Sequence, residues 1–146
     1  MIGLLQRVTE ASVTVDGEII GAIERGLMVL VGVERNDTEV QADKLLTRLL
    51  GYRVFADADD KMNFSLKDVQ GGLLLVPQFT LAANTQKGAR PSFSSAATPD
   101  QGRQLFDYLL SQAQQWYPKV ASGRFVADLQ VARINEGSAT FRYKVN

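Results

Sequence analysis

The stretch "LLLVPQFTLAANT", Leu73 to Thr85, opens as an apolar run and ends in small polar residues. A short apolar run of this kind is typical of a strand buried in a sheet. Side chains alternate between the two faces of a strand. One predicted face holds Leu74, Val76, Gln78 and Thr80, and the other holds Leu73, Leu75, Phe79 and Leu81. We therefore expect Phe79 in the core, with Gln78 and Thr80 displayed where the strand ends.

Pro77 interrupts this strand just before the polar residues. Proline has no N–H to give to a sheet, which favours an edge position or a bulge and leaves the following backbone amides free to meet a ligand. Main-chain amides at such a strand end can stabilise an oxyanion. A simpler interpretation, which the pattern by itself favours, is that Gln78 and Thr80 only cap a solvent-facing strand end.

The composition limits both the fold and the chemistry. The chain has 146 residues, of which 45% are hydrophobic and 22% charged, which predicts one globular domain over residues 1–146. Histidine and cysteine are absent, so disulfides, thiolate nucleophiles and imidazole relays are excluded. Sixteen basic residues balance sixteen acidic ones, which argues against non-specific binding to DNA or RNA. No apolar segment is long enough to be a signal peptide or to span a bilayer, so we expect a cytoplasmic protein with no membrane partner.

Local signals predict the elements around the opening strand. Asp16-Gly17 suits a type I′ hairpin, and the apolar residues 26–34 indicate a strand in the middle of a sheet. Residues 38–50 have helical spacing, with a capping box formed by Thr38 and Gln41. Short extended segments are expected at 52–55 and 62–66.

The second half of the chain is predicted to contain a long loop, a helix and a hairpin. Residues 82–97 show no sustained period and form a long connection. A second helix begins with Thr98 as N-cap and Pro99 at its first position, and Gln101 is expected to close a capping box. The end of the chain alternates over 125–131 and 141–145 on either side of turn residues at 135–137, which predicts a closing hairpin. The predicted fold is α+β: a mostly antiparallel, barrel-like sheet with two helices.

Two longer segments, "PQFTLAANTQKGARPSFS" and "INEGSATF", resemble the bacterial D-aminoacyl-tRNA deacylases, whose two signatures usually read S-Q-F-T-L and N-x-G-P-V-T. The segments "LLQRVTEASVTVDGE", "GLMVLVGVE", "GYRVF", "DKMN" and "SGRF" match in the same order, so the resemblance covers nearly the whole chain. It implies a homodimer that hydrolyses the ester between a D-amino acid and tRNA at the acceptor end. Nothing in the residues themselves requires a cofactor, so we expect none.

The resemblance also implies the site residues. Phe79 and Thr80 are the expected catalytic positions. Substrate contacts are expected from Pro77, Gln78, Arg7, Gly137, Ser138, Ala139 and Thr140. The loop at Gly137-Ser138 is expected to reach into the partner subunit's site and to screen chirality. Lys87 and Arg90 are expected to meet acceptor-stem phosphates. Ordinary surface charge is the simpler explanation of these two residues and of Arg7.

An ester hydrolase without histidine needs another way to activate its nucleophile. Thr80 has no evident base. The more economical mechanism uses the 2′-OH of the terminal adenosine to orient or activate water, while backbone amides around Phe79 and Thr80 stabilise the developing charge. Gln78 is expected to bind the substrate or to order the strand end.

Two residues depart from the signatures: Pro77 replaces the usual serine, and Ser138 replaces the usual proline. The Gly-Pro bond of the family is cis, and a non-proline cis bond costs roughly 2.5–4 kcal/mol, so we expect the Gly137-Ser138 bond to be trans. A related animal deacylase has Pro-Gln at the first position and accepts certain L-aminoacyl-tRNAs. A relaxed or shifted selectivity is therefore an open alternative here.

Three further alternatives remain at this point. A non-catalytic relative would bind tRNA ends without hydrolysis. A hydrolase of free D-amino-acid esters or peptides would ignore tRNA. Asp57, Asp59 and Asp60 have the chemistry of a cation site, but such a turn is more often hydrated, so we expect no metal.

Overall fold

The computed structural model describes residues 1–125 and 128–146, except for the side chain of Ser138. The strands are β1 (Ile2–Val15), β2 (Glu18–Ile23), β3 (Gly26–Gly32), β4 (Phe55–Ala56), β5 (Met62–Phe64), β6 (Gly72–Pro77), β7 (Val120–Ser122) and β8 (Gln130–Lys144). The helices are α1 (Glu39–Gly51), α2 (Leu66–Val69) and α3 (Pro99–Trp116), and a 3₁₀ turn covers Phe79–Ala82.

The main sheet has the order β2-β1-β3-β6-β7, and β8 pairs with the long β1. The three partners of β1 run antiparallel to it, whereas β3 with β6 and β6 with β7 are parallel pairs. The sheet curls until its ends approach, since a Cβ added at Gly21 of β2 would lie 2.6 Å from the carbonyl oxygen of Ser122 in β7. The α+β, barrel-like prediction is confirmed.

Apolar side chains fill both faces of this sheet. One face packs against α1 and α3, and its buried members include Leu5, Leu27, Val29, Leu73, Leu75, Leu45, Leu49 and Leu109. The other face lies inside the curl and includes Val8, Val13, Met28, Leu74 and Val76. Because β3 and β6 are covered on both faces, they read as continuous apolar runs in the sequence.

Elements with strong local signals are confirmed. The hairpin turns at Asp16 and Gly17, whose φ angles are 50° and 78°. Thr38 caps α1, and its N–H donates to the side chain of Gln41 at 2.7 Å. Thr98 caps α3 as expected, but the side chain of Gln101 does not form the predicted capping box. Its side-chain amide donates to the carbonyl oxygen of Arg35 at 2.8 Å, because α3 packs beside the loop before α1.

Two predictions for strands are wrong. The closing hairpin does not form, because residues 130–144 are one strand that follows β1 along nearly its whole length. Residues 126 and 127 of the predicted first arm lie outside the described residues. The strand predicted through Leu81 ends at Pro77 and is followed by the 3₁₀ turn. The four-residue helix α2 was not predicted, although Ser65 and Asp68 form a capping box there.

The pairing of β3 with β6 begins at a contact between two glycines, which predicts a large effect of a single methyl group. A Cβ added at Gly26 would lie 1.9 Å from the carbonyl oxygen of Gly72. We expect Gly26→Ala to lower the free energy of unfolding by about 3 kcal/mol, because backbone has to move to accommodate it. The measurement is chemical denaturation followed by circular dichroism.

The matched control is Gly51→Ala at the end of α1, where nothing lies within 4 Å of the added carbon. This variant is expected to be neutral or more stable by up to about 1 kcal/mol, since alanine favours the helix. Equal effects of the two substitutions would contradict the close approach of β3 and β6.

Candidate active site

The first signature lies where β6 leaves the sheet. The N–H of Gln78 donates to the carbonyl oxygen of Val31 at 2.8 Å. This is the last backbone hydrogen bond between β3 and the segment that continues β6. The backbone then tightens into the 3₁₀ turn, in which the N–H of Leu81 donates to the carbonyl oxygen of Gln78 at 3.2 Å. The strand therefore ends abruptly, directly after Pro77.

This turn leaves two adjacent backbone donors without an acceptor. The first N–H groups of a helix have no partner within it. Within the part of the chain that the structure describes, no backbone or side-chain atom accepts a hydrogen bond from the N–H of Phe79 or of Thr80. Two neighbouring free amides can bind one anionic or carbonyl oxygen.

The side chains at this strand end differ in part from the prediction. Gln78 is half-buried and Thr80 exposed, as expected for displayed residues. The placement of Phe79 in the core is wrong: its side chain is 60% exposed, because the 3₁₀ turn breaks the alternation that had assigned it inward. The side-chain amide nitrogen of Gln78, Nε2, donates to the hydroxyl oxygen of Thr80 at 2.5 Å. None of the hydrogen bonds among the described residues links the Thr80 hydroxyl to a carboxylate or an amine, so nothing there acts as its base.

An apolar cleft of about 490 Å³ opens beside the turn. Its lining includes Pro77, Phe79, Phe93, Thr98, Phe106 and Phe125. The rings of Phe79 and Phe93 have centroids 5.8 Å apart, and Phe93 is 45% exposed. Phe93 lies in the segment that resembles the family, but the sequence did not predict it as a site residue. Two exposed aromatic rings at the edge of a cleft can stack on an unpaired base.

The second signature forms a bulge on β8. Gln6 of β1 pairs with Thr140, and Val8 pairs with Asn135, so β8 has four residues, 136–139, where β1 has only Arg7. Gly137 has a φ of +67°, a conformation that glycine adopts without strain. That the Gly137-Ser138 bond is trans stays a prediction. Ala139 of the bulge is buried.

Arg7 holds the beginning of this bulge. Its Nε donates to the carbonyl oxygen of Glu136 at 3.0 Å, and Nη1 donates to the carbonyl oxygen of Val54 at 2.6 Å. A Cβ on Gly137 would lie 2.6 Å from Nη2, so the guanidinium packs directly against the glycine. The interpretation of Arg7 as a merely solvated surface residue is wrong, since it is largely buried and bonds two backbone segments.

One carboxylate oxygen lies between two guanidinium groups here. Glu136 Oε2 is 3.9 Å from Nε of Arg7 and 3.5 Å from Nε of Arg25. The oxygen is buried, and none of the described residues gives it a hydrogen bond. Neither Arg25 nor Glu136 was singled out from the sequence, since nothing in the pattern connects two positions so far apart in the chain.

The two signatures lie near opposite ends of β3. Pro77 is opposite Val31, whereas Arg7 is opposite Leu27. Four residues of strand span roughly 13 Å, and β1 and β3 lie between β8 and β6, the strand that ends in the turn. Within one chain the bulge therefore does not face the free amides.

The remaining predicted residues lie on exposed loops. Asn84 and Ser92 exchange backbone hydrogen bonds of 2.7 and 2.9 Å, which closes a loop that presents Lys87 and Arg90 to solvent. Asp57 accepts hydrogen bonds from the backbone N–H of Asp59 and of Lys61, and the Lys61 bond in particular holds the pKa of the Asp57 carboxyl below its ordinary value. No group of three acidic side chains among the described residues is close enough together to hold a cation. None of the described helices has the length and apolar character to cross a membrane.

The fold and the strand end define a class of small α+β protein whose candidate site consists of main-chain donors beside an apolar cleft. The family model for D-Tyr-tRNA(Tyr) deacylase matches residues 4–144, and the chain belongs to this family. The chain is 64% identical over 141 residues to the D-aminoacyl-tRNA deacylase of Pseudomonas fluorescens strain Pf-5, covering 97% of each chain. It is 63% identical over 145 residues to that of Pseudomonas putida strain W619, covering 99% of this chain and all of the other.

Two solved structures have the same fold. One, described as c-Myc DNA Unwinding Element Binding Protein, superposes with a TM-score of 0.95 at 36% identity and covers 100% of this chain and 99% of its own. The other, described as a probable eukaryotic D-amino acid tRNA deacylase, has a TM-score of 0.82 at 17% identity, with 99% and 98% covered. The second likeness concerns the fold alone.

The contact between Arg7 and Gly137 predicts that a methyl group there disturbs more than the backbone angle. Gly137→Ala is expected to lower the free energy of unfolding by roughly 1 kcal/mol more than Gly17→Ala does, because the added carbon also displaces the Arg7 guanidinium from its bonds to Glu136 and Val54. Gly17 is the matched control: its φ is +78°, and nothing lies within 4 Å of the added carbon. Denaturation curves of the two variants give the comparison, and identical losses would argue against the packing of Arg7 on Gly137.

Proposed function

We propose that the protein hydrolyses the ester bond of mischarged D-aminoacyl-tRNA and releases the free D-amino acid and the tRNA. The pair of unpartnered amides at Phe79 and Thr80, beside an apolar cleft, is the observation that carries this proposal. Membership of the D-Tyr-tRNA(Tyr) deacylase family gives the substrate class. Because such esters form during translation, the proposed place of action is the cytoplasm.

Ester hydrolysis places negative charge on the carbonyl oxygen in the transition state. In the proposed site, the N–H groups of Phe79 and Thr80 bind that oxygen. The bond of Gln78 to Val31 and the 3₁₀ turn fix these donors before the substrate arrives. Donors that need no reorganisation are worth more to the transition state than to the ground state.

The attacking group is proposed to be water assisted by the substrate. The chain contains no histidine, and the Thr80 hydroxyl accepts a hydrogen bond from Gln78 without contacting a base among the described residues. The 2′-OH of the terminal ribose is adjacent to an ester on the 3′ oxygen. It can therefore orient or activate water, and because it is part of the substrate, placing it beside the ester costs no further translational entropy. In this mechanism Thr80 and Gln78 shape the strand end and bind the substrate.

The cleft is proposed to take the end of the tRNA. The terminal base stacks on the Phe79 and Phe93 pair, which holds the ester over the free amides. Pro77 lines the same cleft and stiffens the start of the turn. Lys87 and Arg90, at the exposed loop, are placed to meet phosphates of the acceptor stem.

A second copy of the chain completes the proposed site. Gly137, Ser138 and Ala139 of the bulge, with Thr140 beside it, cannot reach the free amides of their own chain, because β1 and β3 separate β8 from β6. Among the described residues, β8 pairs only with β1, so its outer edge is open along a long strand. Natural proteins rarely leave such an edge unprotected. In the proposed homodimer, the bulge of one subunit reaches the partner's strand end and screens the chirality of the amino acid.

The name of one solved relative mentions DNA, but the charge balance here favours a different partner. Sixteen basic and sixteen acidic residues give no net field for binding a duplex non-specifically. A single-stranded RNA end bound through stacking and a few local phosphates needs no such field.

A proline in place of Phe79 tests the amide directly. Phe79 is the first residue of the 3₁₀ turn, where proline is tolerated, and Gln78 before it is not helical, with a φ of −142° and a ψ of 86°. Phe79→Ala removes the ring, and Phe79→Pro removes the ring and one N–H. We expect kcat for D-Tyr-tRNA to be about 100-fold lower in Phe79→Pro than in Phe79→Ala, which is the usual effect of losing one oxyanion donor.

Circular dichroism and unfolding curves of both variants serve as the control, and their agreement shows that the turn tolerates proline. Equal single-turnover rates for two folded variants would rule out the Phe79 amide as an oxyanion donor.

The 2′-OH is tested from the substrate side. D-Tyr-tRNA that ends in 2′-deoxyadenosine, with the ester on the 3′ oxygen, is expected to react at least about 100-fold more slowly than the ordinary substrate. Thr80→Ala is expected to keep measurable activity on the ordinary substrate, because its hydroxyl has no base. Equal rates on the two substrates, or complete loss of activity in Thr80→Ala, would instead favour attack by threonine.

A relaxed selectivity for L-aminoacyl-tRNA is the second candidate function. It is favoured by Pro77 and Ser138, which replace the serine and the proline of the usual signatures. Hydrolysis of matched D- and L-tyrosyl-tRNA separates the two, and a non-catalytic relative would hydrolyse neither. Inhibition by uncharged tRNA distinguishes a tRNA enzyme from a hydrolase of free D-amino-acid esters.

A further inference from the structure

The bulge of β8 has few ladder hydrogen bonds to hold it. Four residues, 136–139, lie opposite one residue of β1, and β8 has no partner strand among the described residues on its other side. Arg7 binds the backbone of the bulge at the carbonyl oxygen of Glu136. The side chain of Glu136 turns inward, and its Oε2 is buried between Arg7 and Arg25.

Arg25 connects this bulge to the strand that carries the first signature. It lies between β2 and β3, where its carbonyl oxygen accepts a hydrogen bond of 2.9 Å from the N–H of Gly72 at the start of β6. Its guanidinium lies 5.3 Å from the centre of the Phe55 ring and extends to Glu136, with 3.5 Å between Nε and Oε2. One residue thus fixes the beginning of β6 through its backbone and contacts the bulge through its side chain.

We propose that Arg25 and Glu136 are positioning residues for stereoselectivity: their ion pair holds the bulge in the position from which it discriminates between D- and L-amino acids. This inference rests on the function proposed above. A D- and an L-amino acid differ only in which side of the Cα carries the side chain. The discriminating backbone therefore has to stay within a fraction of an ångström, and Ser138 has no ring to fix its own φ.

The ion pair gives selectivity a dependence on salt. The side chain of Arg25 is 48% exposed and that of Glu136 34% exposed, so mobile ions screen their attraction. Salt also weakens the binding of tRNA. That effect is the same for D- and L-aminoacyl-tRNA, and it cancels in the ratio of their kcat/KM values. The salt dependence of this ratio therefore reports the ion pair and not the binding of tRNA.

The test compares hydrolysis of D-Tyr-tRNA and L-Tyr-tRNA at about 0.05 M and about 0.5 M salt. The variants are Arg25→Gln, Glu136→Gln, their double variant and the charge-preserving Arg25→Lys. The control is Glu18→Gln, an exposed carboxylate on β2 that forms no salt bridge with the described residues. Unfolding curves exclude loss of the fold, and hydrogen exchange at the amides of residues 136–140 reports the position of the bulge directly.

We expect the D/L ratio of the wild type to fall with salt. At low salt, each glutamine variant is expected to lower the ratio about fivefold, which corresponds to a half-exposed ion pair, and to abolish its dependence on salt. The double variant is expected to be no worse than Glu136→Gln alone, because loss of the carboxylate already removes its ion pair with Arg25. Arg25→Lys retains the salt dependence, Glu18→Gln behaves as wild type, and exchange rises at residues 136–140 in the glutamine variants only.

The outcomes separate this inference from the proposed function. If the wild type hydrolyses neither ester, the proposed function fails. If it hydrolyses D-Tyr-tRNA selectively, but the glutamine variants keep both the ratio and its salt dependence, only the role of Arg25 and Glu136 is overturned. A wild-type ratio near one overturns that role as well, while deacylation itself stands.

Discussion

The site depends on the parallel pairing of β3 with β6. This pairing starts where two glycines, Gly26 and Gly72, let the backbones approach, and it ends where the N–H of Gln78 binds the carbonyl oxygen of Val31. After that bond no further ladder position is used, and the chain turns away as a 3₁₀ helix. The amides of Phe79 and Thr80 are free because the 3₁₀ turn begins at Phe79, and the first N–H groups of a helix have no acceptor within it. The register of two central strands thus determines where the donors point.

The absence of histidine explains why the chemistry is assigned to backbone and substrate. A hydroxyl near neutral pH is a poor nucleophile without a base, and Thr80 is bonded to an amide that cannot accept its proton. Backbone N–H groups do not titrate, so the proposed oxyanion site has the same strength over a wide range of pH. Their position is set by the sheet and the turn, and so it does not depend on side-chain rotamers.

Local signals predicted the elements that depend on local physics. The α1 helix, its capping box and the Asp16-Gly17 turn are determined by residues within a few positions of each other, and all are confirmed. Longer-range competition explains the errors. Strand alternation predicts Phe79 in the core, but the 3₁₀ turn that follows the bond from Gln78 to Val31 ends the strand before Phe79.

The same competition explains the missed bulge and the missed ion pair. The composition of residues 135–137 fits a hairpin turn equally well, and only the length of β1 makes β8 one strand. Gln101 does not form a capping box, because its side chain donates to the carbonyl oxygen of Arg35, a residue distant in the sequence. Arg25 and Glu136 meet through tertiary structure alone. Of the candidate site, the displayed Gln78 and Thr80 followed from the pattern, whereas the cleft and its second aromatic ring did not.

In the proposed function, the position of the bulge connects specificity to the assembly of two subunits. A bulge twists an edge strand away from further pairing, and β8 has its bulge near the middle of its length. The same four residues can therefore keep the edge from extending into an open sheet and give a partner a shaped backbone to receive. Gly137 is required for this, since its positive φ and missing Cβ let the Arg7 guanidinium lie against the chain. In the proposed homodimer, the bonds of Arg7 to Glu136 and Val54 hold the start of this element within its own chain, so they do not depend on the partner.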